Sequence, residues 1–95
     1  MSITSDFIRT EIEQQSYEIP IHADNERLVD GLTTSQLEVA LSEGKVIEEY
    51  PDDLRGESCL VLGFTSDGTP VHIVCGRNLT GHFILITVYI PNSCT

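Results

Sequence analysis

Residues 58–75, which read SCLVLGFTSDGTPVHIVC, decide the fold of this chain. Two apolar runs, Ser58 to Thr65 and Pro70 to Cys75, lie on either side of Asp67-Gly68. An Asp-Gly pair between two apolar runs is the strongest short-range signal for a β-hairpin with a two-residue turn. This stretch therefore predicts two neighbouring antiparallel strands.

The register of this hairpin assigns side chains to the two faces of the sheet. A two-residue turn pairs Ser66 with Thr69 and, further along, Gly63 with His72. One face is then wholly apolar and is expected to pack on helices; it holds Leu60, Leu62, Phe64, Val71, Ile73 and Cys75. His72 is expected on the opposite face, beside open space left by Gly63.

Helical patterns precede the hairpin, and two more strand patterns flank it. The predicted helices run from Thr4 or Ser5 to Gln15, from His22 to Asp30, and from a capping box at Thr33 and Gln36 to Gly44. The other predicted strands are Val46 to Tyr50, at an edge, and His82 to Ile90. The sequence predicts one α+β domain over residues 1–95, with two or three N-terminal helices packed on one face of a four-stranded antiparallel sheet.

Charge is divided unevenly along the chain. The formal net charge is -10, and residues 1–57 hold fourteen of the fifteen acidic residues. Of the charged residue types Asp, Glu, Lys and Arg, residues 58–95 contain only Asp67 and Arg77, so the predicted sheet is nearly neutral. Nucleic-acid-binding proteins usually carry a basic surface, because phosphate contacts dominate their affinity. Either the chain does not bind nucleic acid strongly by itself, or the contact is confined to the face of the sheet.

Several classes of protein are not indicated. The longest apolar stretch, Phe83 to Ile90, is far shorter than the ~20 residues of a membrane helix, and the N-terminal residues lack a signal pattern, so we expect a cytoplasmic protein. Cys59, Cys75 and Cys94 show neither zinc nor redox spacing, and the predicted register places Cys59 and Cys75 on opposite faces, without a disulfide. No metal site is expected, because the acidic cluster of Glu48-Glu49 and Asp52-Asp53 lacks the spacing of a calcium loop. No cofactor is expected, because phosphate-loop and dinucleotide patterns are absent.

His72 is the first candidate for chemistry. A histidine on an open sheet face can act as a general acid or base near neutral pH, although a partly buried histidine that only hydrogen-bonds a neighbour is the commoner case. Thr87 and Tyr89 are two residues apart, so they share a face of the last strand. They could hold a phosphate with His72 if the register across residues 76–81, which the sequence does not fix, places them on the face of His72. Thr and Tyr are also simply good strand formers.

His22 and Arg27 lie on or next to the second predicted helix. Arg27 stands among Asp24, Glu26 and Asp30, where a solvated ion pair is the simpler interpretation. The alternative is a guanidinium that clamps a phosphate, for which the planar fork of arginine is suited.

A set of short motifs resembles a known family over residues 20–91. The motifs are His22-Ala23 followed after three residues by Arg27-Leu28, Leu32-Thr33, 46–51 (VIEEYP), 58–64 (SCLVLGF), 70–74 (PVHIV) and 86–89 (ITVY). In order and spacing they resemble an uncharacterised bacterial family of small toxin-like proteins that is grouped with RelE-like and BrnT-like toxins.

The resemblance implies a RelE-like fold and metal-independent RNA cleavage by a toxin that an antitoxin protein holds inactive. It carries over His22, Arg27, His72, Thr87 and Tyr89: His72 as base or acid, Arg27 for charge stabilisation, and Tyr89 with Thr87 as hydrogen-bond donors to phosphate. The low content of Lys and Arg favours a second hypothesis, a non-catalytic protein-interaction module that can self-associate as a homodimer.

Overall fold

The computed structural model describes residues 3–52 and 56–91. In chain order the elements are α1 (Ser5–Glu13), β1 (Tyr17–Glu18), α2 (Ile21–Val29), α3 (Thr34–Ser42), β2 (Lys45–Tyr50), β3 (Ser58–Phe64), β4 (Pro70–Arg77) and β5 (Phe83–Tyr89). The strands form one sheet in the order β1-β5-β4-β3-β2. The α+β class is confirmed, with three helices, but the sheet is five-stranded and mixed instead of four-stranded and antiparallel.

Side-chain caps start two of the helices. The Thr4 hydroxyl accepts a hydrogen bond from the Phe7 N–H at the start of α1. The capping box of α3 is confirmed: the Thr33 hydroxyl accepts from the Gln36 N–H at 3.1 Å, and the Gln36 side chain accepts from the Thr33 N–H at 2.9 Å. Helix α1 ends at Glu13, before the predicted Gln15, because the backbone of Gln15 is left-handed, with φ of 55°.

The short strand β1 is the element that the sequence did not predict. Tyr17 lies opposite Phe83 and Glu18 opposite Ile84, in a parallel pairing with β5. The Tyr17 hydroxyl also donates to the carboxylate of Glu38 on α3. Two residues are too few to show the alternation by which a strand is recognised, so only these long-range contacts define β1.

The prediction that all the helices cover one face of the sheet is wrong. Helices α1 and α3 contact each other and pack on one face of the sheet, where the Phe7 ring meets the Phe83 ring edge-on. Helix α2 instead contacts β5, along the part of its edge that the two-residue strand β1 does not pair with. There a carboxylate oxygen of Glu26 accepts the hydrogen bond of the Val88 N–H at 3.0 Å, which satisfies a donor that a strand edge leaves unpaired.

The predicted register of the β3–β4 hairpin is wrong by one residue. The Gly68 N–H donates to the Thr65 carbonyl, the Thr65 N–H donates to the Thr69 carbonyl, and Gly68 has a φ of 89°. The loop therefore has three residues and ends in a left-handed glycine, a common hairpin type. The Asp67 carboxylate accepts from the hydroxyls of Thr65 and Thr69, which hold the loop and lower the pKa of Asp67.

A shift of one residue moves every side chain of a strand to the opposite face. Leu62 lies opposite His72, and Gly63 opposite Val71. The face under α1 and α3, called the inner face, consequently holds Cys59, Val61, Gly63, Val71, Ile73, Cys75, Phe83, Leu85 and Val88. The predicted inner positions on β4 are confirmed, while Leu60, Leu62 and Phe64 lie on the other side.

The prediction that Gly63 leaves open space beside His72 is wrong. Gly63 is instead needed for contact with a helix. A Cβ atom on Gly63 would lie 2.1 Å from the carbonyl oxygen of Ala40 and 2.9 Å from its Cα. Helix α3 therefore packs backbone to backbone on β3 at this point, and the glycine is what allows the approach.

Candidate functional site

The candidate site lies on the outer face, the side of the sheet away from α1 and α3. Its described side chains include Glu48, Tyr50, Leu60, Leu62, Phe64, His72, Val74, Thr87 and Tyr89. Three aromatic side chains on it are solvent-exposed: Phe64 at 51%, Tyr89 at 39% and Tyr50 at 38%. The expectation that His72 lies away from the covering helices is confirmed, although the register used to argue it was wrong.

His72 and Tyr89 form a hydrogen-bonded pair across β4 and β5. They lie directly opposite each other, with Nδ1 of His72 3.1 Å from the hydroxyl oxygen of Tyr89 and the rings edge-on at 5.2 Å. When Nδ1 of a neutral His72 donates to the Tyr89 hydroxyl, Nε2 is a free base. In the imidazolium both nitrogens donate, so Nε2 can give up its proton while Nδ1 still donates to Tyr89. The same contact therefore fits His72 as an acid or as a base.

A bulge in β5 brings Thr87 onto the face of His72. Val74 lies opposite Thr87, whereas Cys75 lies opposite Leu85, so Ile86 is an extra residue in β5. In a regular strand without a bulge, Leu85, Thr87 and Tyr89 would all lie on the same face. The bulge instead buries Leu85 on the inner face and leaves Thr87 and Tyr89 together on the outer one.

His22 lies beside this face, on α2. It lines a groove between α2 and β5 that also includes Tyr89, and it borders a cavity of about 260 Å³ over Ile84 and Ile86. Its Nε2 atom is 3.3 Å from a carboxylate oxygen of Glu26. The structure thus brings four of the five sequence-predicted residues to one side of the molecule.

Arg27, the fifth, has a different position. Its guanidinium pairs with the Asp24 carboxylate at 2.8 Å and donates to the Leu32 carbonyl at 3.1 Å. The Arg27 side chain is only 16% exposed and lines neither the groove nor the cavity. These contacts fix the turn between α2 and α3. The ion pair of the simpler interpretation is present, but the guanidinium is largely buried instead of solvated.

Glu48 and Tyr50 are outer-face residues that the sequence analysis did not single out. The Tyr50 hydroxyl donates to the Glu48 carboxylate, and this bond raises the pKa of Tyr50, with smaller contributions from partial desolvation and from the charge of Glu48. Residue Ile47 is bulged out of the pairing with β3, which turns Glu48 to the outer face. In the sequence these residues indicated only a charged edge strand.

The remaining features of the described residues add no metal or membrane site. Among residues 3–52 and 56–91, no three His, Cys, Asp or Glu side chains are grouped so as to hold a metal ion. Within the same ranges no helix has the length and apolar content to cross a membrane. Cys94 lies outside the described residues.

Comparison with known proteins identifies a family. Residues 21–90 match the family model described as "Domain of unknown function (DUF4258)", and the chain belongs to this family. The match runs from the first residue of α2 to just beyond β5 and contains all five candidate residues. Searches of curated proteins and of solved structures found no match.

Proposed function

We propose that this chain is a toxin-like domain that cleaves RNA without a metal ion on the outer face of its sheet. The observation that carries the proposal is the His72–Tyr89 pair, an imidazole bonded to a phenol on a sheet face that α1 and α3 leave open. An antitoxin protein that covers this face would hold the domain inactive.

The proposed reaction is an internal transfer at phosphorus. Nε2 of His72 takes the proton of a ribose 2′-hydroxyl, the 2′-oxygen attacks the adjacent phosphorus, and the bond to the 5′-oxygen breaks. The hydroxyls of Thr87 and Tyr89 donate to the phosphate oxygens as negative charge develops there. We assign His22, in the groove that includes Tyr89, to protonate the leaving 5′-oxygen through Nδ1, since its Nε2 atom faces the Glu26 carboxylate. The products are a 2′,3′-cyclic phosphate and a 5′-hydroxyl.

Arg27 has no part in this proposal, because its guanidinium is engaged by Asp24 and the Leu32 carbonyl. The neutral hydroxyls of Thr87 and Tyr89 take over the stabilisation of the phosphate charge. Fourteen of the fifteen acidic residues precede β3 in the chain, and Glu48 is the one acidic residue among the outer-face side chains named above. Exposed aromatic rings on this face, Tyr50 and Phe64, offer surfaces on which unpaired bases can stack.

The test is cleavage of mixed RNA by the purified chain in the presence of a chelator. General acid–base catalysis by one side chain is typically worth about 10²–10⁴-fold, so His72→Ala is expected to lose rate on that scale. Tyr89→Phe keeps the ring and removes only the hydroxyl, so its loss is expected to be smaller. His82→Ala is the matched control, because His82 is an exposed loop histidine bonded to Thr80. Equal cleavage by the His72 and His82 variants would refute the assignment.

A second candidate function, a non-catalytic protein-interaction module, is favoured by a different observation. The outer face combines exposed Tyr50, Phe64 and Tyr89 with few charges, and aromatic residues are enriched in protein interfaces. The net charge of -10 opposes RNA and favours a basic protein partner. The same face could instead bind a second copy of the chain, so that the module forms a homodimer without another protein.

Two measurements separate the functions. The ribonuclease proposal predicts RNA cleavage with chelator and growth arrest when the chain is expressed without an antitoxin. The interaction module predicts intact RNA and, if it self-associates, a dimer in sedimentation velocity that Phe64→Ser weakens. A monomeric chain that cleaves RNA would exclude the homodimer module, and a dimer that leaves RNA intact would exclude the nuclease.

A further inference from the structure

Two buried cysteines lie side by side beneath α1 and α3. Cys59 on β3 and Cys75 on β4 are directly opposite each other, both on the inner face, at 1% and 0% exposure. Both are free thiols, with their Sγ atoms 3.8 Å apart. The prediction that they point to opposite faces is wrong, because the three-residue hairpin loop shifts β3 by one position.

We propose that Cys59 and Cys75 are a thiol oxidation site, at which hydrogen peroxide joins the two sulfur atoms in a reversible disulfide across β3 and β4. This oxidation site is separate from the outer face and does not involve RNA. It concerns the covalent state of the inner face, which neither proposed function uses.

The backbone geometry fits the bond. Residues directly opposite in an antiparallel pair have Cα atoms about 4.5–5.5 Å apart, which falls within the range of about 4.4–6.8 Å that disulfides span. The Sγ atoms must come from 3.8 Å to a bond length of about 2.05 Å, a movement that side-chain rotation provides without breaking the strand pairing.

The two thiols differ in a way that orders the reaction. The hydrogen bond from Cys75 lowers the pKa of Cys59, whereas that bond and burial raise the pKa of Cys75. Cys59 also lies next to Glu49 on the exposed edge strand β2, and opening of an edge strand is the route by which a small oxidant can reach it. Because Cys59 is one strand from this edge and Cys75 is two strands from it, Cys59 is the thiol that the oxidant meets first, and Cys75 is the resolving thiol.

The oxidation has two steps. The Cys59 thiolate attacks one peroxide oxygen, the O–O bond breaks, and hydroxide leaves, which gives a sulfenic acid at Cys59. The Cys75 sulfur then attacks the Cys59 sulfur, the S–S bond forms, the S–O bond breaks, and the oxygen leaves as water with the protons of the two groups. Two thiols lose two electrons in total, and one peroxide becomes two waters.

The experiment uses the full chain with Cys94→Ser, so that only the two buried thiols remain. The folded chain is treated with a small excess of hydrogen peroxide, unfolded in an alkylating agent, and weighed intact by mass spectrometry. We expect the loss of two hydrogen atoms, no alkylation, and a peptide that joins Cys59 to Cys75. Dithiothreitol is expected to restore two alkylatable thiols.

Stability provides the second readout. A bond that closes a loop of about 15 residues restricts the unfolded chain, and in a domain of this size the thermal midpoint should rise by on the order of 10 °C. Far-UV circular dichroism should be unchanged, because the thiols are already adjacent in the native sheet. Cys75→Ala, compared at equal helix content, removes the partner and should yield sulfinic acid at Cys59 in place of a disulfide.

Three outcomes would overturn the proposal. Hydrogen peroxide is the only oxidant used in the test. If the folded chain still has two alkylatable thiols after this treatment, the site does not react. Two separately oxidised sulfur atoms would show that they do not meet. A disulfide that forms only when the chain is first unfolded in denaturant, or that abolishes the native dichroism spectrum, would show that the native sheet does not position it.

Discussion

Substitution of Gly63 by alanine tests the register of β3 most directly. The added Cβ would lie 2.1 Å from the carbonyl oxygen of Ala40, 2.7 Å from its carbonyl carbon and 2.9 Å from its Cα. All three atoms belong to the backbone of α3, so no side chain can rotate away. The helix would have to move by more than 1 Å to reach the 3.4 Å of ordinary contact.

The expected cost follows from this overlap. Overpacking a core costs typically about 1–3 kcal/mol, and a clash between two backbones belongs at the upper end, about 3 kcal/mol. For a domain of this size 1 kcal/mol shifts the thermal midpoint by about 4–8 °C, so Gly63→Ala should lower it by on the order of 15 °C. Urea unfolding followed by circular dichroism measures the free energy of unfolding independently.

The control is the next residue on the same strand. Phe64 is 51% exposed on the outer face, and Phe64→Ala should cost less than Gly63→Ala although it removes a far larger group. The register first predicted from the sequence reverses this order, because it exposes Gly63 and buries Phe64. A Gly63→Ala chain within 0.5 kcal/mol of the parent stability would refute the packing of α3 on β3 described above.

Two further predictions concern the edge of the sheet and the pH dependence of stability. Glu26→Ala removes the acceptor of the Val88 N–H, which should cost about 1–3 kcal/mol and accelerate hydrogen exchange of the Val88 amide. Burial and the hydrogen bond to Glu38 raise the pKa of Tyr17 to about 12 from 10.0, so the folded state favours the neutral phenol. Its stabilising contribution is therefore complete below pH 10 and should be lost as the pH rises towards 12.

Each of these has a matched variant. Glu26→Gln keeps an acceptor oxygen and should retain most of the stability and the slow Val88 exchange; equal effects of Ala and Gln would mean that the hydrogen bond is unimportant. Tyr17→Phe removes the titrating group, so its stability should fall less between pH 10 and 12. Parallel curves for the parent and Tyr17→Phe would contradict the assignment to Tyr17.

The order of the elements other than β1, and the caps of α1 and α3, could be predicted because they depend on neighbouring residues. The Thr33–Gln36 capping box closes within a single turn, and its two hydrogen bonds are as expected. The hairpin itself was also predicted, since its Asp-Gly signal is local. Its register was not, because hydrogen bonds from Thr65 and Thr69 to Asp67 extend the loop by one residue.

The candidate site could be predicted as a set of residues but not as an arrangement. His72 and Tyr89 are opposite each other only because Ile86 is bulged, which is a property of the β4–β5 pairing. Glu48 joins the outer face through a second bulge, at Ile47. The assignment of Arg27 depended on its chemistry alone, and its contacts with Asp24 and the Leu32 carbonyl became visible only in the fold.

The sequence by itself determined that the chain is an α+β domain with an acidic helical half and a nearly neutral sheet half. Those properties follow from composition and from periodicities that span a few residues. Only the tertiary structure decided that Gly63 meets α3, that Cys59 meets Cys75, and that His72, Thr87 and Tyr89 share an open face. The physical reason is that register and bulges are set by contacts between strands and helices that lie far apart in the chain, and one residue of slip exchanges the two faces of a strand.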